Sequence, residues 1–266
     1  MRPVIAMLTD FGLRDHYAGT MKGVVLSICP DATLVDISHD IAPHDVLGGA
    51  LELAAAFKYF PAGTILLAVV DPGVGSSRRG LAAEAGGYRF VGPDNGVLSL
   101  ALEAAEAAPK AIVELTDRRY ARPTVSRTFE GRDRFAPAAA WLAKGVALTT
   151  LGRPAGSIVR AALPAPVADQ DRISGEVVRV DRFGNLITNI DRRMFEQFVG
   201  ASGEGVPSLA GREIARVVAT YAEAGAGELC ALFGSTDHLE IAARGESAAA
   251  ATGQGRGAPV HITRRA

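Results

Sequence analysis

Asp71 stands where a candidate buried strand ends. Residues 64–70, TILLAVV, are apolar after the leading Thr64, favour extended backbone through Val69 and Val70, and are too few for a stable helix. Pro72 donates no ladder hydrogen bond and Gly73 can take backbone angles closed to other residues, so the run stops with a carboxylate at its carboxyl end. Arg78 and Arg79 follow in the same loop. Asp10 repeats the arrangement: VIAML at 4–8 runs into Thr9-Asp10-Phe11-Gly12, with Asp15 just beyond. Carboxylates at a sheet edge are equipped to accept hydrogen bonds from hydroxyls, orient water or take a proton. Open α/β sheets bind ligands at that edge. Asp71 serves equally well as the cap of its own turn, since structural ion pairs are common.

Other reactive residue types point to less. His39 and His44 lie five apart with no third ligand at a known metal spacing, so they read as solvent-facing or capping groups and no metal is expected. Cys29 and Cys230 form no closely spaced pair and read as buried thiols of a reducing cytoplasm. The glycines of DPGVG do not make a G-x-G-x-x-G opening a helix, so NAD or phosphate binding is not expected.

The elements that must position these groups follow from periodicity. Residues 16–28 have helical spacing, with Tyr17, Met21, Val24, Val25 and Ile28 on one face. TLVDIS at 33–38 reads as a strand, 45–59 as an alanine-rich helix, and GLAAEA and YRFVGP as a pair of strands. PDNGVLSLALE at 93–103 reads as a turn and a helix capped by Asp94 or Asn95. IVELT at 112–116 is a strand, and 127–145 is a polar loop entering an alanine-rich helix. The proline-bearing stretch 153–170 reads as a linker. Beyond it, SGEVVRVDRFGNLITNI alternates with period two around a DRFGN turn, and EIARVVATY, ELCALFG, HLEIAAR and PVHITRR read as short strands. Residues 246–259 read as a short helix or turn and then a surface loop. The fold class is α/β: an amino-terminal α/β sandwich with a largely parallel sheet over 1–165, and a smaller β-rich carboxyl-terminal domain over 172–266.

The 266 residues, 48% hydrophobic, suffice for such a pair of cores. A net charge of −1 gives no support to a nucleic-acid or membrane-surface partner. No apolar run of about 18 residues exists and the start is too brief for a signal segment, so a cytoplasmic protein is expected.

Seven motifs in order, LTDFG at 8–12, YAGTMKG at 17–23, DPGVGSSRR at 71–79, PDNG at 93–96, TFEGRD at 128–133, DRFGN at 181–185 and GSTDHLEIA at 234–242, resemble the S-adenosylmethionine hydroxide adenosyltransferases, relatives of the fluorinases and chlorinases. The likeness runs through nearly the whole chain. It implies attack of water or hydroxide on the ribose carbon bonded to the sulfonium, releasing adenosine and methionine. It also implies a homotrimer with the ligand held between subunits, and no cofactor beside the substrate. Carried over by motif, Asp71 and Arg78 belong to the water-positioning group, together with position 130. Asp10 accepts from the ribose hydroxyls. Asp15 lies near the methionine amino group, and Asp181 is a further methionine-end contact. Phe183 and Asn185 hold the adenine, whose edge is read by backbone groups at Ser247 and Ala248. Phe129, Ser235 and Glu240 line the ligand.

Several of these positions also have structural readings. Asp181 and Asn185 suit a hairpin turn, Glu240 suits a solvent-facing strand position, and Arg79 suits the surface. One departure is chemical: where hydroxide-using members commonly carry histidine in T-F-H-G-R-D, this chain has Glu130. Three roles are open to it: a base beside Arg78, a group orienting water while Asp71 and Arg78 suffice, or the mark of a site that binds its ligand and turns over poorly. A halide-using enzyme is the nearest alternative function. Retained Asp71 argues against it, because a fixed negative charge beside a desolvated anion is costly. A non-catalytic nucleoside-binding protein is the other.

Overall fold

Every residue of Ile65–Val69 is buried, as befits an apolar run covered by helices on both faces. The computed structural model describes residues 2–105, 111–200 and 204–265, and its chain divides into two compact units, Met1–Ala162 and Leu163–Ala266.

The first unit runs β1 (Val4–Thr9), α1 (Tyr17–Ile28), β2 (Thr33–Ser38), α2 (Val46–Ala56), β3 (Ile65–Val69), β4 (Gly80–Ala85), β5 (Tyr88–Pro93), α3 (Ser99–Ala104), β6 (Ala111–Leu115), α4 (Ala136–Ala143) and β7 (Gly152–Pro154). The sheet order is β2-β1-β3-β5-β4-β6-β7. The strands from β2 through β5 in that order are parallel, and the remaining pairings are antiparallel. Period-two alternation sends neighbouring strand residues to opposite layers. Ile5, Met7, Ile65 and Leu67 pack with Met21 and Val25 of α1 and Leu142 of α4. Ala6, Leu8, Leu66 and Ala68 pack with Leu53 of α2 and Leu102 of α3. The parallel strands β1 and β3 therefore deliver Asp10 and Asp71 to one sheet edge.

Two local expectations change. Neither Asp94 nor Asn95 caps α3, whose N-cap Leu98 makes no side-chain bond. Asn95 instead donates to the Val70 carbonyl at 2.8 Å, bracing the residue before Asp71. Asp94 is buried and binds Arg79, whose Nε lies at 2.8 Å, so Arg79 is no simple surface charge. Asp94 also accepts from the Val159 amide at 2.8 Å, and Ser99 Oγ accepts from the Ala161 amide at 2.9 Å, so this part of the linker stretch is fastened to the first unit. Asp94→Ala leaves the Val159 N–H without its acceptor and the Arg79 guanidinium without its carboxylate, though still bonded to the Ser157 carbonyl. It is expected to destabilise the protein by about 1–3 kcal/mol, read by chemical denaturation.

The second unit runs β8 (Val167–Ala168), β9 (Arg172–Val180), β10 (Leu186–Asp191), α5 (Arg192–Val199), β11 (Gly205–Leu209), β12 (Arg212–Glu213), β13 (Leu229–Phe233), β14 (His238–Ala243), α6 (Ala248–Thr252) and β15 (Pro259–Arg264). Its antiparallel sheet has the order β12-β11-β15-β9-β10-β14-β13, with β8 beside β9. Ile173, Val177, Leu186, Ile190, Ile241 and Val260 form its core. The stretch 213–221 is not the strand its β-branched residues predict. Ala210 and Gly211, both at positive φ, turn β11 tightly into β12. After Glu213 the chain makes only an isolated bridge, Val217 to Ala231. Among the described residues, no helix is long and apolar enough to cross a membrane.

Candidate active site

A cavity of about 300 Å³ opens at the carboxyl edge of the first sheet, and Asp10, Tyr17, His44, Asp71, Phe129 and Glu130 line it. The two strand-end carboxylates therefore face one space. Arg78 Nε donates to Asp71 Oδ1 at 2.8 Å and Nη2 donates to Oδ2, the two-pronged pairing that suits a guanidinium and a carboxylate. The same Nη2 donates to Glu130 Oε2 at 2.7 Å, and Arg134 Nη1 approaches that oxygen at 3.6 Å. Side-chain exposure is 9% for Arg78, 6% for Asp71 and 10% for Glu130, so one buried cation holds two buried carboxylates. Burial pushes the Asp71 carboxyl above the ordinary carboxylate range and the Glu130 charge adds to that, while Arg78 opposes both. Asp71 is thus a stronger base than a free aspartate, and it is immobilised.

Two local devices bring these loops together. Gly75, at φ +77°, sits where a Cβ would overlap the Arg127 carbonyl, so the DPGVG loop and the TFEGRD loop meet backbone to backbone. A π-helical turn, Gly131–Phe135, leads into α4, a feature frequent at functional sites. Within it Asp133 is fully buried and accepts from the Ser126 amide at 2.8 Å and from Arg132 Nε at 2.6 Å. Burial alone would raise the Asp133 carboxyl, but Arg132, the Ser126 amide and Arg122 outweigh it and hold it below its usual range. The folded loop sets Phe129 and Glu130 against the cavity.

Asp10 Oδ2 accepts from the His44 amide at 2.9 Å. His44 takes φ +67°, a left-handed conformation that non-glycine residues rarely adopt. Phe129 meets Tyr17 and Phe11 edge-on, with ring centroids 5.1 and 5.8 Å away. Asp15 is exposed and does not line this cavity. His39 is neither solvent-facing nor a cap: it is buried, with both ring nitrogens bonded. Among the described residues no cluster of three or more metal-ligating side chains occurs.

The second unit carries a wider cavity of about 1000 Å³, lined by Asp181, Phe183, Asn185, Ser235, Glu240 and Ser247 among others. Asp181 builds the DRFGN turn: it accepts from the Phe183 amide at 2.9 Å and from the Asn185 amide and side-chain Nδ2, both at 2.8 Å. That turn leaves the Phe183 ring 77% exposed, an aromatic face free to stack. Ser247 caps α6 by accepting from the Ala250 amide at 3.1 Å, and the Ala249 amide donates to the Gly184 carbonyl at 2.9 Å. Ala248 is fully buried and, unlike Ser247, does not line this cavity. Glu240 does not face solvent. It is buried, accepts from the Tyr221 hydroxyl at 2.9 Å, and burial raises its carboxyl. Gly234 lies close beside it: a Cβ there would oblige the Glu240 carboxylate to shift. Tyr221 here, and His44 and Tyr17 in the first cavity, are lining residues to which motif reading assigned no site role, although Tyr17 opens the YAGTMKG motif.

Residues 5–152 match the SAM hydroxide adenosyltransferase N-terminal domain, and residues 175–261 match the C-terminal domain of the same name. The chain belongs to the SAM hydroxide adenosyltransferase family. It is 38% identical to a protein named (R)-S-adenosyl-L-methionine hydrolase from Thermus thermophilus, covering 98% of this chain and 100% of that one. A protein of the same name from Salinispora tropica is also 38% identical, with 98% of each chain covered. A fluorinase from an Actinoplanes species is 31% identical over 73% of this chain and 74% of its own. Among solved structures, a conserved protein from Thermotoga maritima superposes with a TM-score of 0.91 at 34% identity, covering 98% of this chain and 100% of that one. The resemblance read from the seven motifs is therefore a family membership.

Proposed function

We propose that the protein hydrolyses S-adenosyl-L-methionine to adenosine and L-methionine. The observation that carries this reading is the buried Asp71–Arg78–Glu130 cluster facing the same cavity as Asp10. Relatives named as hydrolases, aligned over essentially the whole chain, support it.

The reaction is an in-line displacement. A water oxygen bonds to the ribose C5′ while the C5′–S bond breaks, its electron pair returning to sulfur as the neutral thioether. The protein's work is alignment and solvent exclusion, which lower most of such a barrier. Asp10 accepts from the ribose hydroxyls and fixes the sugar. Asp71, held on Arg78, accepts a hydrogen bond from the attacking water and takes its proton as the C–O bond forms. The sulfonium starts positive and ends neutral, so a closed pocket of fixed dipoles favours the transition state over the charged ground state. Glu130 shares Arg78 with Asp71 and orients water. Phe129 packs against the reacting end. Phe183 stacks on adenine beside Asn185, with backbone groups at Ser247 and Ala248 at its edge. Asp15, Asp181, Ser235 and Glu240 surround the rest of the ligand. The carboxylate of Asp71 disfavours a halide in the same place.

The reading extends to assembly and setting. The protein acts as a cytoplasmic homotrimer without a cofactor, and neither nucleic acid nor membrane is a partner. Two buried free thiols are consistent with a reducing compartment. Sedimentation or light scattering of the purified protein reads the trimer directly.

Mass spectrometry of S-adenosylmethionine incubated with the pure protein tests the function. Adenosine and methionine in equal amounts are expected. Tight binding without product would leave a binding protein, and halogenated adenosine formed in chloride or fluoride would make it a halide enzyme. Glu130→Ala is expected to lower kcat about tenfold, or about 1.4 kcal/mol, with Glu130→His retaining most activity. Equal rates for Ala and wild type would remove Glu130 from the chemistry.

A further inference from the structure

The loop carrying Asp10 is pinned by a buried hydrogen-bond chain that no step of the reaction uses. Thr9 and His39 are 0% and 3% exposed. The Phe11 amide donates to Thr9 Oγ1 at 3.2 Å, and Thr9 Oγ1 lies 2.8 Å from His39 Nδ1. His39 Nε2 lies 3.0 Å from Asp36 Oδ1, and Asp36 Oδ2 accepts from Lys22 Nζ at 2.6 Å. A second tie runs from the Gly12 amide to the His39 carbonyl at 2.7 Å.

Donor counting orients the chain. The Asp36 carboxylate can only accept, so His39 Nε2 carries a proton, and the Thr9 hydroxyl, which accepts from Phe11, has its own proton to give to Nδ1. Nδ1 of a neutral imidazole accepts it, which leaves the ring proton on Nε2 to donate to the Asp36 carboxylate. Asp36 is in turn held by Lys22. Every polar group along the chain is then satisfied, and the bonds lead from the Asp10 loop to a surface ion pair. The bonded residues come from the ends of β1 and β2 and from α1, and α1 begins with cavity-lining Tyr17. The β1–β2 register shifts between Met7 and Leu8, opposite Asp36 and Ser38, and bulges of this kind re-aim side chains beside functional sites.

We infer that His39, acting through Thr9, is a positioning residue that holds Asp10 in the orientation needed to grip a cis-diol such as the ribose of the proposed substrate. The inference rests on the hydrolase reading for the identity of that diol. It rests on the hydrogen bonds alone for the fixing of the loop. His39 touches neither the cavity nor any ligand. Loss of the chain loosens the Asp10 carboxylate and leaves the Asp71 cluster as it is, so it weakens substrate binding more than the chemical step.

Thr9→Val keeps the shape of the side chain and removes the hydroxyl, and Thr9→Ser restores it. His39→Leu breaks the chain at its centre. Hydrogen exchange of the peptide spanning residues 10–12 is the first readout, with the peptide of β3 reporting whether the fold is intact. Thr9→Val and His39→Leu are expected to speed exchange of the loop about tenfold while β3 is unchanged, with Thr9→Ser near wild type. The KM for S-adenosylmethionine is expected to rise about tenfold in the same two variants with kcat within about twofold, and the double variant is expected to be no worse than either single one. Wild-type exchange and KM in Thr9→Val overturn the inference, as does a Thr9→Ser protein as loose as Thr9→Val. Should the wild type neither bind nor consume S-adenosylmethionine, the hydrolase reading falls, and the exchange measurement still decides whether this chain fixes Asp10.

Discussion

Asp71→Asn is expected to lower kcat for S-adenosylmethionine hydrolysis by about 10²–10⁴-fold, the range for loss of a positioned general base. Asparagine keeps the shape and one acceptor for Arg78, so the loops stay in place while the basic oxygen is lost. In the proposed reaction substrate binding rests on Asp10 and the adenine contacts, so KM is expected to change little, and the loss belongs to the transition state. The pH profile separates this from general damage. Burial sets the Asp71 carboxyl above its ordinary value of 3.8, and the reaction needs the ionised form. Wild-type kcat is therefore expected to fall as pH drops through that raised value, an acid limb displaced upward from that of a free aspartate. Asp71→Asn is expected to lose the limb together with the rate. Steady-state rates from pH 4 to 8 measure both, and an unchanged kcat would mean that water is activated elsewhere.

The positions of Asp10 and Asp71 were legible because each ends an apolar strand at a local breaker, and parallel neighbours bring such ends to one edge. The buried partner of Arg79 was not legible, since its pairing with Asp94 depends on how β4 and β5 lie side by side. β11 escaped because Pro207 sits inside it, and proline argues against a strand. α5 escaped because it is only eight residues long, although Met194, Phe195, Phe198 and Val199 recur at helical spacing on one face and pack on the core of the second unit. His39 read as a loop histidine because its partners, Thr9 and Asp36, come from two different strands. Glu130 is an intermediate case: the motif likeness offered a place beside Arg78 as one of three roles, and the fold shows that it shares that guanidinium with Asp71. Local chemistry was readable, and the motif likeness grouped Asp71 with Arg78; the other long-range pairings of polar groups were not, because no local pattern encodes which carboxylate meets which arginine.

Arg78→Met follows from that shared guanidinium and is expected to have the largest effect on stability. Methionine fills much of the space but leaves Asp71 and Glu130 buried side by side, with the more distant Arg134 as their counter-charge among the described residues. Removing one partner of a buried ionic group typically costs about 3–5 kcal/mol, and that loss is expected at pH 8 by urea denaturation of the first unit. The loss depends on pH in a definite direction. Arg78 is the main influence lowering the Asp71 carboxyl; without it, burial and the Glu130 charge push that group further up. A carboxyl raised in the folded state binds its proton more tightly there than in the unfolded chain. Its contribution is therefore favourable below the unfolded value and is lost as pH rises through the folded one. The gap between Arg78→Met and wild type is thus expected to narrow as pH falls from 8 toward 5. Adding Asp71→Asn to Arg78→Met removes one of the two stranded charges, so the double variant is expected to be more stable than Arg78→Met alone, an interaction of opposite sign to simple addition. A gap independent of pH, with the two substitutions merely adding, would mean that Arg78 stabilises the loops by packing on Phe135, whose ring centroid lies 5.2 Å from its guanidinium carbon, and that the carboxylates are not held apart by charge.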